Sequence, residues 1–174
     1  MKARRLVFAS LMLALGIILP FFTSHAFLIQ GTVFLPMHYP VFLSGILLGP
    51  GIGAAVGLML PILNSLISGM PVIFPMVPIM TAELFTYGLV SGILYNKTPL
   101  GKRRFGVFPT LIISMIAGRI SYGLLFHVLL FAFEDLKALS VLAATVIALP
   151  GIGLQIILIP TVLKLTEKIK DNIK

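Results

Sequence analysis

The chain has 174 residues, of which 59% are hydrophobic and only 10% charged, which excludes an ordinary soluble domain, since a surface this apolar is stable only against lipid. Its formal charge of +8, from 13 Lys and Arg against 5 Asp and Glu, does not mark a nucleic-acid binder: apart from Arg119 and Lys137, the basic residues fall in three short clusters that flank apolar runs. The absence of Cys excludes a disulfide framework and a thiolate metal site.

A helix needs roughly 20 residues to cross the hydrocarbon core of a bilayer. On that measure the sequence predicts an all-α integral membrane protein of a single domain, with six transmembrane helices near residues 6–22, 36–48, 52–68, 78–95, 107–133 and 139–166. Lys2, Arg4 and Arg5 precede the first, whose small residues include Ala9, Ser10 and Ala14. The second is short for a crossing, so it is expected to begin earlier or to tilt, and it carries His38 near its outer end. Gly49-Pro50-Gly51 then forms a tight turn between antiparallel helices. Gly45, Gly49, Gly53 and Gly57 recur at four-residue spacing across that turn, a pattern that lets neighbouring backbones approach closely. Pro61 interrupts the hydrogen-bond ladder of the third segment and predicts a kink. Asn64 and Ser68 follow near its outer end.

The fourth segment carries Glu83 and, one turn on, Tyr87. Lys97, Lys102, Arg103 and Arg104 fill the connection to the fifth. There Arg119, Tyr122, Gly123, Phe126 and His127 share one helical face, at positions i, i+3, i+4, i+7 and i+8. The chain closes on Lys164, Lys168, Lys170 and Lys174. Basic clusters mark cytoplasmic segments, and six crossings put all three on that side, with the amino and carboxyl termini inside. A signal peptide also fits the basic start and apolar core of residues 1–26, but its removal would set the other two clusters against that rule. Glu134, Asp135 and Lys137 charge the fifth connection, which faces outward in this topology.

Ionisable groups inside a membrane are costly, so Glu83 and Arg119 each need a partner or a wet cavity. At 1.5 Å per residue they lie about 8 Å and about 18 Å below the outer ends of their helices, a gap that a long Arg side chain can span. Two readings follow: a permanent ion pair that pins two helices, or a site. A cavity lined by His38, Asn64, Glu83, Tyr87, Arg119, Tyr122 and His127 in the outer half of the membrane would suit a small polar metabolite with an aromatic part. Taken alone, His25, His38 and His127 each read as well as hydrogen-bonded structural residues.

No catalytic residues, metal site or cofactor are expected. The sequence has no His-Glu-x-x-His, no Gly-x-Ser-x-Gly and no phosphate-binding loop that would hydrolyse ATP. A transporter of this size must then run on a gradient, oligomerise or borrow its energy from partners.

The stretch LPMHYPVFLSGILLGPGIGAAVG, the GMPVIFP loop that precedes the Glu-bearing helix, and the small-residue first helix resemble the substrate-binding S component of an energy-coupling factor (ECF) vitamin transporter. The likeness covers nearly the whole chain. Its most specific part is the pattern of Pro40, Val41, Gly45, Leu47, Gly49 and Pro50. The resemblance implies a multi-pass protein of the cytoplasmic membrane that captures a vitamin-like small molecule. Its implied partners are a transmembrane coupling subunit and two cytoplasmic ATPases. It also implies that an Ala-x-x-x-Ala-type surface on the first helix meets the coupling subunit, here as Ser10 and Ala14 with Ala9 beside them. Small residues pack helices within a monomer equally well. Two other readings remain open: a self-sufficient secondary carrier or channel that uses the same intramembrane charges, and a membrane enzyme using Glu83, Arg119 and His127 for proton chemistry.

Overall fold

In the computed structural model, which describes residues 2–26, 31–103, 105–133 and 140–172, the described chain is helical with short connections. Arg104, Glu134, Asp135, Lys137 and Lys174 lie outside the described residues. In order, the helices are α1 (Lys2–Ala26), α2 (Gly31–Phe34), α3 (His38–Leu48), α4 (Pro50–Ser68), α5 (Met76–Lys97), a 3₁₀ turn (Pro99–Lys102), α6 (Val107–Ala132), α7 (Val141–Ile147) and α8 (Leu149–Asn172). Five of them, α1, α4, α5, α6 and α8, are long and apolar enough to cross a membrane.

Two of the six predicted segments differ in form. Residues 36–48 do not make one spanning helix, because α3 has 11 residues and reaches only about 16 Å. It is preceded by the separate turn of α2, and the chain bends between them at Leu35, whose φ of 51° lies in the left-handed region. The His38 amide donates to the Leu35 carbonyl there at 3.0 Å. The bend is buried, Leu35 being 8% exposed, so its backbone is shielded by protein rather than set against lipid. The predicted run at 139–166 is broken at Ala148 into α7 and α8. Pro150 has no amide hydrogen, and in a continuous helix its ring would meet the Val146 carbonyl one turn back; in the first turn of a new helix neither is a fault.

The Gly49-Pro50-Gly51 turn forms as the sequence predicts. Gly49 takes φ 99°, which a side chain would resist, and Pro50 opens α4. The α3–α4 hairpin packs on α5 with backbones in contact: a Cβ on Gly45 or Gly53 would meet the Gly88 carbonyl, and one on Gly57 would meet that of Leu84. Lipid supplies no hydrophobic drive between helices, so association rests on dispersion and hydrogen bonds, and close approach increases both. Asn96 fastens the far end of this wedge. Its amide donates to the carbonyls of Gly45 and Ile46 on α3, each at 3.1 Å, and to that of Gly92 on its own helix.

Around the wedge stand the looser elements. α1 leans on α3 and α4 and leaves Leu6, Val7, Leu11, Ile18 and Phe22 exposed. α6 also exposes Ile112, Ile113 and Val128, apolar side chains suited to lipid tails. The main core gathers Val41, Phe42, Leu60, Leu84, Tyr87, Leu111 and Ile159 from α3, α4, α5, α6 and α8. These elements make the chain an all-α membrane protein.

Candidate functional site

Glu83 and Arg119 face each other where α5 crosses α6. Arg119 Nη1 stands 3.1 Å from Glu83 Oε1, and the Tyr87 hydroxyl donates to the same oxygen at 2.6 Å. Helical spacing arranges part of this, since Glu83 and Tyr87 are four apart and stack along one face. α6 makes room for the rest at Gly118, where a Cβ would enter the Tyr87 ring. The Tyr87 ring is also held from behind by Phe42 at 4.9 Å and His38 at 5.4 Å between centroids. A carboxylate only 2% exposed is therefore neutralised by one guanidinium and hydrogen-bonded by one phenol, the arrangement that makes a buried charge tolerable.

Arg119 is the hinge between this network and open space. A cavity of about 630 Å³ lies between α5, α6, α7 and α8, with Tyr87 and Arg119 in its wall. From α6 it is lined by Met115, Ile116, Ile120, Gly123, Leu124 and His127; Val141 and Thr145 of α7 and Ile152 of α8 complete it. The wall is mostly apolar, with a few polar groups, the usual composition of a small-molecule site. His127 is exposed, and its Nδ1 lies 2.8 Å from the Gly123 carbonyl. A carbonyl only accepts, so Nδ1 carries a proton, and Nε2 is the ring nitrogen left for another partner. Arg119 keeps Nε and Nη2 buried and without a hydrogen-bond partner among the described residues.

The seven residues singled out in the sequence thus divide. Tyr87, Arg119 and His127 line the cavity, and Glu83 braces Arg119 from behind. His38 is fully enclosed beneath Tyr87, with neither ring nitrogen hydrogen-bonded among the described residues. Tyr122 turns into a second small core with Ile79 and Phe126, its ring 5.9 Å from the Arg119 guanidinium carbon. Asn64 stands apart from the cavity lining. Its amide donates to the Gly16 carbonyl of α1 at 3.1 Å and to that of Leu60 at 3.0 Å, which ties the first helix to the fourth.

Sequence reading missed Thr145, Met115 and Gln155. Gln155 is a buried amide on α8, 1% exposed, whose Nε2 has no partner among the described residues. It falls one turn beyond Ile152 on the same helical face. A lone amide inside an Ile- and Leu-rich run was the available signal. Ala9 is half-buried on α1, while Ser10 and Ala14 are exposed, the Ser10 hydroxyl donating to the Leu6 carbonyl at 3.0 Å. Among the described residues no three His, Cys, Asp or Glu side chains come together as a metal site would require.

Comparison with known proteins adds one finding. The family model of the ECF transporter substrate-specific component matches residues 4–163. Neither curated proteins nor solved structures give a match. With the match running from the basic start of α1 nearly to the end of α8, the chain belongs to the family of ECF transporter substrate-specific components.

Proposed function

We propose that this substrate-binding subunit captures a vitamin-like small molecule from outside the cell, in the cavity between α5, α6, α7 and α8, and passes it inward only together with a transmembrane coupling subunit and two cytoplasmic ATPases. The observation that carries the reading is the braced Arg119. A membrane-buried guanidinium is fixed by Glu83 on one side, borders a cavity on another and has hydrogen-bonding capacity left over. A purely structural pair has no need of a cavity beside it.

In this reading the amino and carboxyl termini lie in the cytoplasm with the three basic clusters, and α2 and α3 together make the crossing that α3 is too short to make alone. The cavity then opens toward the outer half of the membrane. The exposed Ser10 and Ala14, with Ala9, are the surface of α1 that meets the coupling subunit, where small side chains admit a close helix partner. The energy comes from the ATPases, since the chain has no phosphate-binding loop.

Uptake of a radiolabelled ligand by sealed vesicles tests the whole reading. The chain alone should bind and not transport, and adding the coupling subunit and ATPases should switch transport on. Ala14→Leu should block assembly and uptake while leaving solitary binding intact. Gradient-driven, multiple-turnover uptake by the chain alone would replace this account with a secondary carrier.

A further inference from the structure

The cavity has a charge balance and a polarity that select among ligands, and this inference rests on the capture reading above. The carboxylate of Glu83 and the guanidinium of Arg119 already neutralise each other at 3.1 Å. A ligand carboxylate placed on Arg119 would put two anions around one cation in a site walled by Met115, Ile116, Ile120 and Ile152, where an unbalanced charge is costly. What Arg119 still offers is donors: Nε and Nη2 of this wall residue are buried and have no protein partner among the described residues. Those groups call for acceptors without charge. The other end of the cavity has the opposite sense, because His127 donates its Nδ1 proton to the Gly123 carbonyl, and in that tautomer Nε2 is an acceptor. Two helical turns, about 12 Å, separate Arg119 from His127.

We infer that the cavity takes an uncharged, elongated molecule with an apolar or aromatic middle, hydrogen-bond acceptors at the end that meets Arg119, and a donor at the end that meets His127. Specificity then lies in the direction of the hydrogen bonds rather than in ion pairing. A donor or acceptor left unmatched in a dry site loses more affinity than a matched one gains, so an inverted or ionised ligand is rejected.

A matched pair of probes tests this: a naphthalene with an amino group at one end and a carboxamide at the other, against the same molecule with a carboxylate for the carboxamide. Binding to the purified full chain is read from the rise in unfolding temperature across a titration. The carboxamide should bind and the carboxylate should bind at least about tenfold more weakly. His127→Phe should weaken the carboxamide several-fold, and it does not touch the Glu83–Arg119 pair on which folding leans. Equal or tighter binding of the carboxylate overturns the inference, as does no binding of either probe, or a carboxamide affinity indifferent to that substitution. Co-purification with a coupling subunit is scored separately. A chain that assembles but prefers the carboxylate refutes the ligand class and spares the capture reading. A chain that prefers the carboxamide but neither assembles nor supports uptake refutes the capture reading and spares the ligand class.

Discussion

Glycine serves two opposite ends in this molecule. In the wedge of α3, α4 and α5, glycines are spent on contact: Gly45, Gly53, Gly57 and Gly88 face neighbouring backbone so closely that none has room for a Cβ. On the cavity wall, Gly123 meets only a methyl of Val141 at 3.1 Å. There the missing side chain adds to the volume of the cavity. The contrast teaches that small residues in a membrane helix do not by themselves announce packing. A helix packed tightly along one stripe can still border a cavity on the next, and α5 does both, with Gly88 against α4 and Tyr87 in the cavity wall.

The seam between wedge and cavity is the Glu83–Arg119 pair, and breaking it should have the largest effect. Arg119→Ala leaves a carboxylate only 2% exposed without its cation, so the loss of stability should reach about 3–5 kcal/mol, visible as a fall in unfolding temperature. Glu83→Gln separates the roles. If Arg119 faces ligand as proposed, this change lowers ligand affinity as well as stability, because Arg119 loses its brace. A stability loss with affinity untouched would reduce the pair to a structural pin.

The glycine comparison can be tested directly. Gly88→Ala drives a methyl into the Gly53 carbonyl and should cost about 1–3 kcal/mol, the usual range for overpacking. Gly123→Ala needs only Val141 to yield slightly and should leave the unfolding temperature nearly unchanged. Similar losses at both sites would mean that the cavity side is as tightly constrained as the wedge.

A smaller effect is expected at Asn64, which sits outside the cavity lining. Asn64→Leu removes the hydrogen bond to the Gly16 carbonyl and should destabilise by about 0.5–1.5 kcal/mol. Ligand affinity should not move, since the residue serves the α1–α4 contact. A specific loss of affinity would return Asn64 to the site.

How much of this the sequence discloses depends on the range of the physics involved. The Gly49-Pro50-Gly51 hairpin is legible because a turn is a local matter: one residue with positive φ and one ring at the head of a helix. The Glu83–Arg119 pair is legible because two unlike charges in a bilayer have few other ways to be tolerated. The shortness of α3 is not, since its end is set by a left-handed turn at Leu35, a residue type that seldom takes one. Asn64 and Gln155 fail for a related reason. Each is a single amide in an apolar run, and whether it meets a carbonyl 48 residues away or stays without a partner among the described residues depends on which helix lies across from it. The break at Ala148 is marked in the sequence by Pro150, although the apolar run itself continues unbroken across it.

The claim that binds these points together is that the space between α5, α6, α7 and α8 holds a small molecule in the solitary chain. Filling the space without disturbing the wedge tests it most directly. The wild-type chain and Gly123→Phe, purified without partners and matched for unfolding temperature, are denatured, and the released small molecules are identified by mass spectrometry. The account expects a molecule near stoichiometric with the wild-type chain and absent from Gly123→Phe. Equal recovery from both would contradict it and move the ligand elsewhere in the molecule.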